Sequence, residues 1–246
     1  MLALRSLLFM LTVVPLTAVF GLLVTLAMPL STASRYAIIA VWRRFFMGLV
    51  RLCLGIRMEI KGKENIPAKA SIVLSKHQSA FETVALQDVF PSMVFVMKKE
   101  LLRLPFFGWA LGSMKMISID RGAGKAALEQ LVSQGKERLG AGVWVTIFPE
   151  GTRVAPGHKK RYKPGGAHLA VQSGALVVPV AHNAGEVWPR QAFLKKPGVV
   201  TFSIGPAIDP KGLSEAEVNA RVEDWIEAEM HRLSPHRYSH GDQVPA

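Results

Sequence analysis

His77 and Glu82 lie in the run Leu74-Ser75-Lys76-His77-Gln78-Ser79-Ala80-Phe81-Glu82-Thr83. A neutral imidazole, with an ordinary pKa of about 6.5, can take a proton near neutral pH. A carboxylate on its second ring nitrogen would fix the tautomer and stabilise the imidazolium. Where the substrate brings the hydroxyl, such a pair needs no nucleophile of its own. The spacing imposes a condition. On one continuous helix the two side chains would point about 140° apart. They can meet only if His77 precedes a helix and Glu82 sits in its first turn, pointing back. The structural reading of the same residues is a capping box, Ser79 with Glu82 three positions later, whose acid also suits the helix dipole. The two readings are compatible.

A second group of residues suits an anion. Phe148-Pro149-Glu150-Gly151-Thr152-Arg153 leads from an apolar run into the basic stretch His158, Lys159, Lys160, Arg161 and Lys163. Gly151 permits close backbone approach, Thr152 offers a hydroxyl donor, and the Arg153 fork can grip two phosphate oxygens. Ile119-Asp120-Arg121-Gly122 repeats the arrangement, and Lys98 and Lys99 close a further apolar run. Each cation alone reads as a solvated surface charge. Together, at strand ends, they could converge on one anionic ligand.

Positioning them requires alternating strands and helices. Strands are expected at Arg57–Ile60, Ser71–Leu74, Met93–Met97, Met116–Ile119, Val143–Phe148, Leu176–Ala181 and Val199–Ile204. Helices are expected at Ala80–Val89, Lys99–Arg103 (stopped by Pro105), Gly124–Leu139 and Gly165–Gln172, with a capped amphipathic helix at Ser214–Arg232 and a loose tail from Ser234. This is an α/β fold, a mixed sheet with flanking helices.

Leu7 to Leu30 carries no charge, and its 24 residues would span roughly 30 Å as a helix, enough for a bilayer core. It is too long for the apolar core of a secretory signal, and Pro15 and Gly21 are tolerated in membranes. Thr32–Leu54 mixes Arg35, Arg43, Arg44 and Arg51 with aromatic and aliphatic residues and reads as a second, interfacial helix. A full span and a hairpin dipping into one leaflet are both open, as is an ordinary core helix. The net charge is +12; residues 1–63 hold eight Arg and Lys against Glu59, hence +7, leaving +5 for the rest. Basic charge beside apolar sequence suits an anionic membrane surface, and its interleaving with Phe, Trp, Ile and Leu speaks against nucleic acid. The positive-inside rule places the remaining chain in the cytoplasm. One cysteine, Cys53, precludes an internal disulfide framework. The expected organisation is membrane-anchoring helices over 1–54 and a domain over 55–246.

The blocks in combination resemble the glycerolipid acyltransferase family, and within it the 1-acylglycerol-3-phosphate acyltransferases. The His–x4–Asp block is similar to His77–Glu82, the Ile-Asp-Arg block to Ile119–Arg121, the Phe-Pro-Glu-Gly-Thr-Arg block is present in full, and the Val-Pro-Val block is Val178-Pro179-Val180. Lys98-Lys99-Glu100-Leu101 with Pro105-Phe106-Phe107-Gly108 also matches the segment between the first two. One residue departs: the usual Asp is Glu82. The resemblance implies His77 as base and Glu82 as its orienter. It places Arg153, with Lys98, on phosphate, supported by Gly151 and Thr152, and Arg121 on the phosphate or the acyl donor. Ser79, Glu150 and Pro179 belong to the blocks as support, and Ser79 or amides at the helix start are candidates for the oxyanion. The remaining histidines (His168, His182, His231, His236, His240) read as structural or surface. The implied reaction is attack of a lysophosphatidate hydroxyl on an acyl thioester, of coenzyme A or acyl-carrier protein, with no metal or cofactor, at a bacterial inner membrane. Another acceptor (glycerol-3-phosphate or a lyso-aminolipid) and a non-catalytic membrane lipid-binding protein are the alternatives.

Overall fold

The computed structural model describes residues 1–120 and 122–238. Seven strands form one mixed sheet: β1 (Ile56–Lys61), β2 (Ile72–Ser75), β3 (Met93–Lys98), β4 (Ile117–Ile119), β5 (Trp144–Ile147), β6 (Val177–His182) and β7 (Gly198–Ile204), in the order β1-β7-β6-β2-β5-β3-β4. β6, β2, β5, β3 and β4 run parallel; β7 is antiparallel to β6 and pairs β1 in parallel. The inner strands β2, β5 and β6 are buried along their whole length. That burial on both faces explains their continuous apolar runs.

Helices cover both faces. One core joins α1 (Leu2–Leu26), α2 (Thr32–Leu49) with its π-helical continuation Val50–Leu54, and α3 (Phe81–Val89), through Phe9, Phe46, Leu54, Phe81, Val84 and Phe202. The opposite core joins α5 (Lys125–Gly140), α6 (Gly165–Ser173) and α8 (Glu215–Leu233) through Leu131, Leu169, Val218, Val222 and Ile226. The capping box of α8 forms as the spacing predicts, with Ser214 and Glu217 satisfying one another's amides.

Three local readings change. The segment after Pro105 is not a break but α4 (Phe107–Ser113), following a 3-10 turn at Lys99–Arg103. The Pro-Phe-Phe-Gly run hid it. Phe106 takes a positive φ of 59°, and a Cβ on Gly108 would lie 2.4 Å from the Leu101 carbonyl oxygen, so only glycine lets the two turns meet. A short α7 (Ala184–Val187) follows β6. Of the tail read as loose from Ser234, Pro235–Tyr238 forms a last helical turn, α9, with the Tyr238 ring packed on His231 at 4.4 Å, and residues 239–246 lie outside the described residues.

At the N-terminus only α1 is long and apolar enough to cross a membrane, with a mean hydropathy of 2.5 over its best window. It nevertheless lies against the sheet domain along much of its length. Ser6 Oγ accepts from the Lys195 amide (3.0 Å) and Phe9 meets Trp188 edge-on (5.4 Å), while within the N-terminal segment Arg5 Nε donates to the Cys53 carbonyl (2.7 Å) and Thr17 Oγ1 accepts from the Trp42 indole (3.2 Å). Gly21 packs on Phe106. Part of the N-terminal basic charge serves these joints: Arg35 bonds Met28 and Thr32, and Arg43 pairs with Asp88 at 2.5 Å.

Candidate active site

The parallel strands deliver the sequence blocks to one edge of the sheet. His77 follows β2, Phe148–Arg153 follows its neighbour β5, and Lys98 ends β3 on the other side of β5. Crevices at the carboxyl ends of parallel strands are where ligands bind in such sheets.

His77 precedes α3 and Glu82 lies in its first turn, the one arrangement that the spacing allows. Glu82 is fully buried, and its Oε1 lies 2.7 Å from His77 Nδ1 while accepting the amides of Gln78 (3.0 Å) and Ser79 (2.8 Å). The capping reading is half realised. The acid takes the Ser79 amide, but the Ser79 hydroxyl turns to the Phe81 amide (3.1 Å). Burial alone would raise the Glu82 pKa. The hydrogen bond with His77, the nearby His182 and His77 and the Ser79 amide outweigh it and hold the carboxyl below its usual range. An ionised acceptor on Nδ1 places the ring proton there and leaves Nε2 with its lone pair. The ring is also held from the side, stacked on Phe148 at 3.9 Å and 15°.

The loop around His77 is tied on every side. The His77 amide donates to Glu150 Oε1 (3.4 Å), its carbonyl accepts from Val154 (2.7 Å), and Gln78 Oε1 accepts the Gly185 amide (3.1 Å). Glu150, fully buried, is pushed up to about 7 by desolvation, against the pull of Lys76. Ser79 is likewise buried, and both early amides are taken by Glu82, so neither the hydroxyl nor those amides are open to an oxyanion. Pro179 lies inside β6 opposite Leu74, a support of the sheet away from the crevice.

A cavity of about 540 Å³ opens beside His77. Its lining includes the base His77 with Lys98, Thr152, Arg153 and Arg190, and no carboxylate among the described residues lines it. Gly151 turns there with a φ of 70°, and Arg153 brings its Nε in buried and without a partner among those residues. Most of the remaining lining is apolar, with Phe95 and Met97 of β3, Phe107 and Leu111 of α4, Met114 just after it, and Phe20, Ile39 and Trp42 of the N-terminal helices. Such a vessel suits a ligand with an anionic head and a long apolar body. Arg121 lies outside the described residues; next to it, Lys99 pairs with Asp120.

Sequence reasoning missed Arg190, which reaches the cavity from the loop after α7 and donates to the Arg153 carbonyl (3.4 Å). No local pattern marks it. Of the histidines read as structural or surface, His168 pairs with Glu215 (2.7 Å), His236 with Glu186 (3.2 Å), and buried His182 with the Lys76 carbonyl (2.8 Å). None of these three lines the cavity; His240 lies outside the described residues.

The family model described as Acyltransferase matches residues 57–183. A 1-acyl-sn-glycerol-3-phosphate acyltransferase of Pseudomonas aeruginosa is 44% identical over 245 residues, covering 97% of this chain and 95% of that protein. The human 1-acyl-sn-glycerol-3-phosphate acyltransferase beta is 27% identical over 205 residues, 82% of this chain and 72% of its own. The crystal structure of the 1-acyl-sn-glycerophosphate acyltransferase PlsC of Thermotoga maritima superposes with a TM-score of 0.78 at 25% identity, covering 94% of this chain and 95% of that one. A base-and-carboxylate pair opening on a cavity lined by cations and apolar side chains suits acyl transfer, and with these matches the chain belongs to the acyltransferase family.

Proposed function

We propose that this protein acylates the free hydroxyl of 1-acyl-sn-glycerol-3-phosphate from an acyl thioester, giving phosphatidate. The observation that carries the reading is that one cavity brings together His77, held by Glu82, the cations Lys98, Arg153 and Arg190, and a largely apolar wall. The glycerol hydroxyl gives its proton to His77 Nε2 as its oxygen attacks the thioester carbonyl carbon. The tetrahedral intermediate collapses, the carbon–sulfur bond breaks, and the leaving thiolate takes the proton back from the imidazolium. Glu82 keeps the ring oriented and stabilises its charged form throughout. The acceptor phosphate sits among Arg153, Lys98 and Arg190, which fixes the hydroxyl's approach. The acyl chain lies along the apolar walls.

The placement of α1 supports a membrane-surface enzyme rather than a full span. Contacts from Ser6 to Gly21 cover about 22 Å of helix axis at 1.5 Å per residue. A bilayer crossing would drag the sheet domain into hydrocarbon. The exposed residues Leu4, Leu8, Leu11, Val19, Leu26 and Phe45 instead suit a hairpin lying in one leaflet, on the cytoplasmic side.

The test is transfer by the purified full-length protein in mixed micelles. Lysophosphatidate, glycerol-3-phosphate and a lyso-aminolipid serve as acceptors, each with acyl-coenzyme A and with acyl-carrier protein. Lysophosphatidate is the expected acceptor, with His77→Ala at least 100-fold slower. A faster rate on another acceptor replaces the substrate, and an active His77→Ala variant removes the base.

A further inference from the structure

Lys76, next to the base in sequence, is fully buried. Its Nζ lies 2.7 Å from Glu227 Oε1 and 3.4 Å from Glu150 Oε1. Glu227 belongs to α8, beyond the residues 57–183 that the family model matches. Its Oε1 also accepts the hydroxyl of buried Tyr162, from the loop between β5 and α6 (2.9 Å). The apolar stripe Val218, Val222, Ile226 and Met230 already seats α8 on the sheet. A carboxylate at 227 adds nothing to that packing and costs desolvation unless it is paired.

The pair sits where it can govern geometry. The Lys76 carbonyl is held by His182 and the His77 amide by Glu150, which in turn faces the Lys76 ammonium. Lys76 gives its short contact to Glu227 and a longer one to Glu150, so it joins helix α8, the turn after β5 and the backbone of the base in one knot. Its own pKa is raised: burial pulls it down, but the two carboxylates prevail, so it stays a cation. The cavity-lining residues of β3, α4, the N-terminal helices and Arg190 lie on other elements, while Arg153 shares the turn of Glu150 and is held besides by Arg190, which donates to its carbonyl (3.4 Å).

We propose that Lys76 and Glu227 are a positioning pair, through which the C-terminal helix holds the backbone that aims His77. The inference rests on acyl transfer as the reaction. Removing the pair leaves the binding surfaces in place and loosens the base, so the loss falls on kcat.

Two variants test it. Lys76→Met/Glu227→Gln replaces the ion pair by neutral groups of similar size; Glu150, then without its ammonium, keeps its proton, and a thermal melt checks that the variant is folded. Glu227→Gln alone is milder, keeping Lys76 on Glu150 and an acceptor for Tyr162. For the double variant we expect kcat to fall about 10- to 100-fold, with both KM values within about threefold of wild type, since small misplacement of a reacting group costs up to that much. The single variant falls between. Hydrogen exchange of the amides at 76–79 reads the pair without substrate and should be faster in both variants. Unchanged exchange with kcat within twofold of wild type overturns the proposal, and so does a loss confined to KM. A wild-type protein that transfers no acyl group would instead refute the reaction, while the exchange result still decides the pair.

Discussion

Replacing Glu82 by Gln separates its two roles. In the wild type, one fully buried carboxylate oxygen meets His77 Nδ1 at 2.7 Å and accepts two amides, at 3.0 and 2.8 Å. A carboxamide oxygen can keep all three, since capping boxes accept Gln as readily as Glu. What vanishes is the charge beside the imidazole. A charge-assisted hydrogen bond contributes about 1.5–3 kcal/mol, which converts to roughly 10- to 100-fold in kcat because the imidazolium exists only along the reaction path. The new amide nitrogen falls where Oε2 is buried without a partner, so stability should drop by about 1–3 kcal/mol. The Glu82 pKa is depressed below 4.5, so its stabilisation is complete above that value and disappears as pH falls through the lower native one. The stability gap between wild type and variant should therefore be full at pH 7 and close in acid. The assay is thiol release from the acyl donor in detergent micelles, each substrate varied in turn, alongside thermal melts from pH 3 to 8. Glu82→Asp, which keeps the charge but is one methylene short, should fall between the two. A folded Gln variant with kcat within about threefold of wild type would refute the reasoning and leave Glu82 as a cap alone.

Three further outcomes are expected. Arg153→Ala should raise the acceptor KM about 10- to 100-fold and the donor KM little, with Lys rescuing only in part because it lacks the fork; steady-state kinetics in both substrates checks this. Deleting residues 1–54 should yield aggregate rather than a soluble domain, since Phe9, Val13, Phe46, Val50 and Leu54 belong to the same core as Phe81 and Phe202; size-exclusion chromatography reads it, and a monodisperse fragment would refute it. Glu150 has a native pKa pushed up to about 7 from 4.5, so the native state holds its proton more tightly than the unfolded chain. That stabilisation is present below 4.5 and lost as pH rises through 7. Glu150→Gln should accordingly gain in melting temperature relative to wild type between pH 5 and 8.

The sequence by itself determined what depends on neighbours along the chain. Strand and helix order followed from apolar periodicity, the α8 cap from Ser214 and Glu217, and the His77–Glu82 contact from five residues that straddle a helix start. In each case the interacting groups sit within one turn, so spacing alone bounds their geometry. The tertiary structure decided the rest. The segment containing Gly108 reads as a break until its close contact with the preceding turn makes it a helix. Sheet order inserts β5 between β2 and β3, which lays Phe148 on His77 and Glu150 beneath it. No periodicity encodes that order, because it depends on which distant faces bury one another. Arg190 gains its meaning only where its loop closes over Arg153. The apolar α1 that composition reads as a possible span is bound along the domain by contacts reaching from Ser6 to Lys195 and from Gly21 to Phe106. Lys76 and Glu227, 151 residues apart, look like two ordinary surface charges in the chain. Only packing removes both from water, and that removal turns a lysine and a glutamate into a fixed joint behind the base.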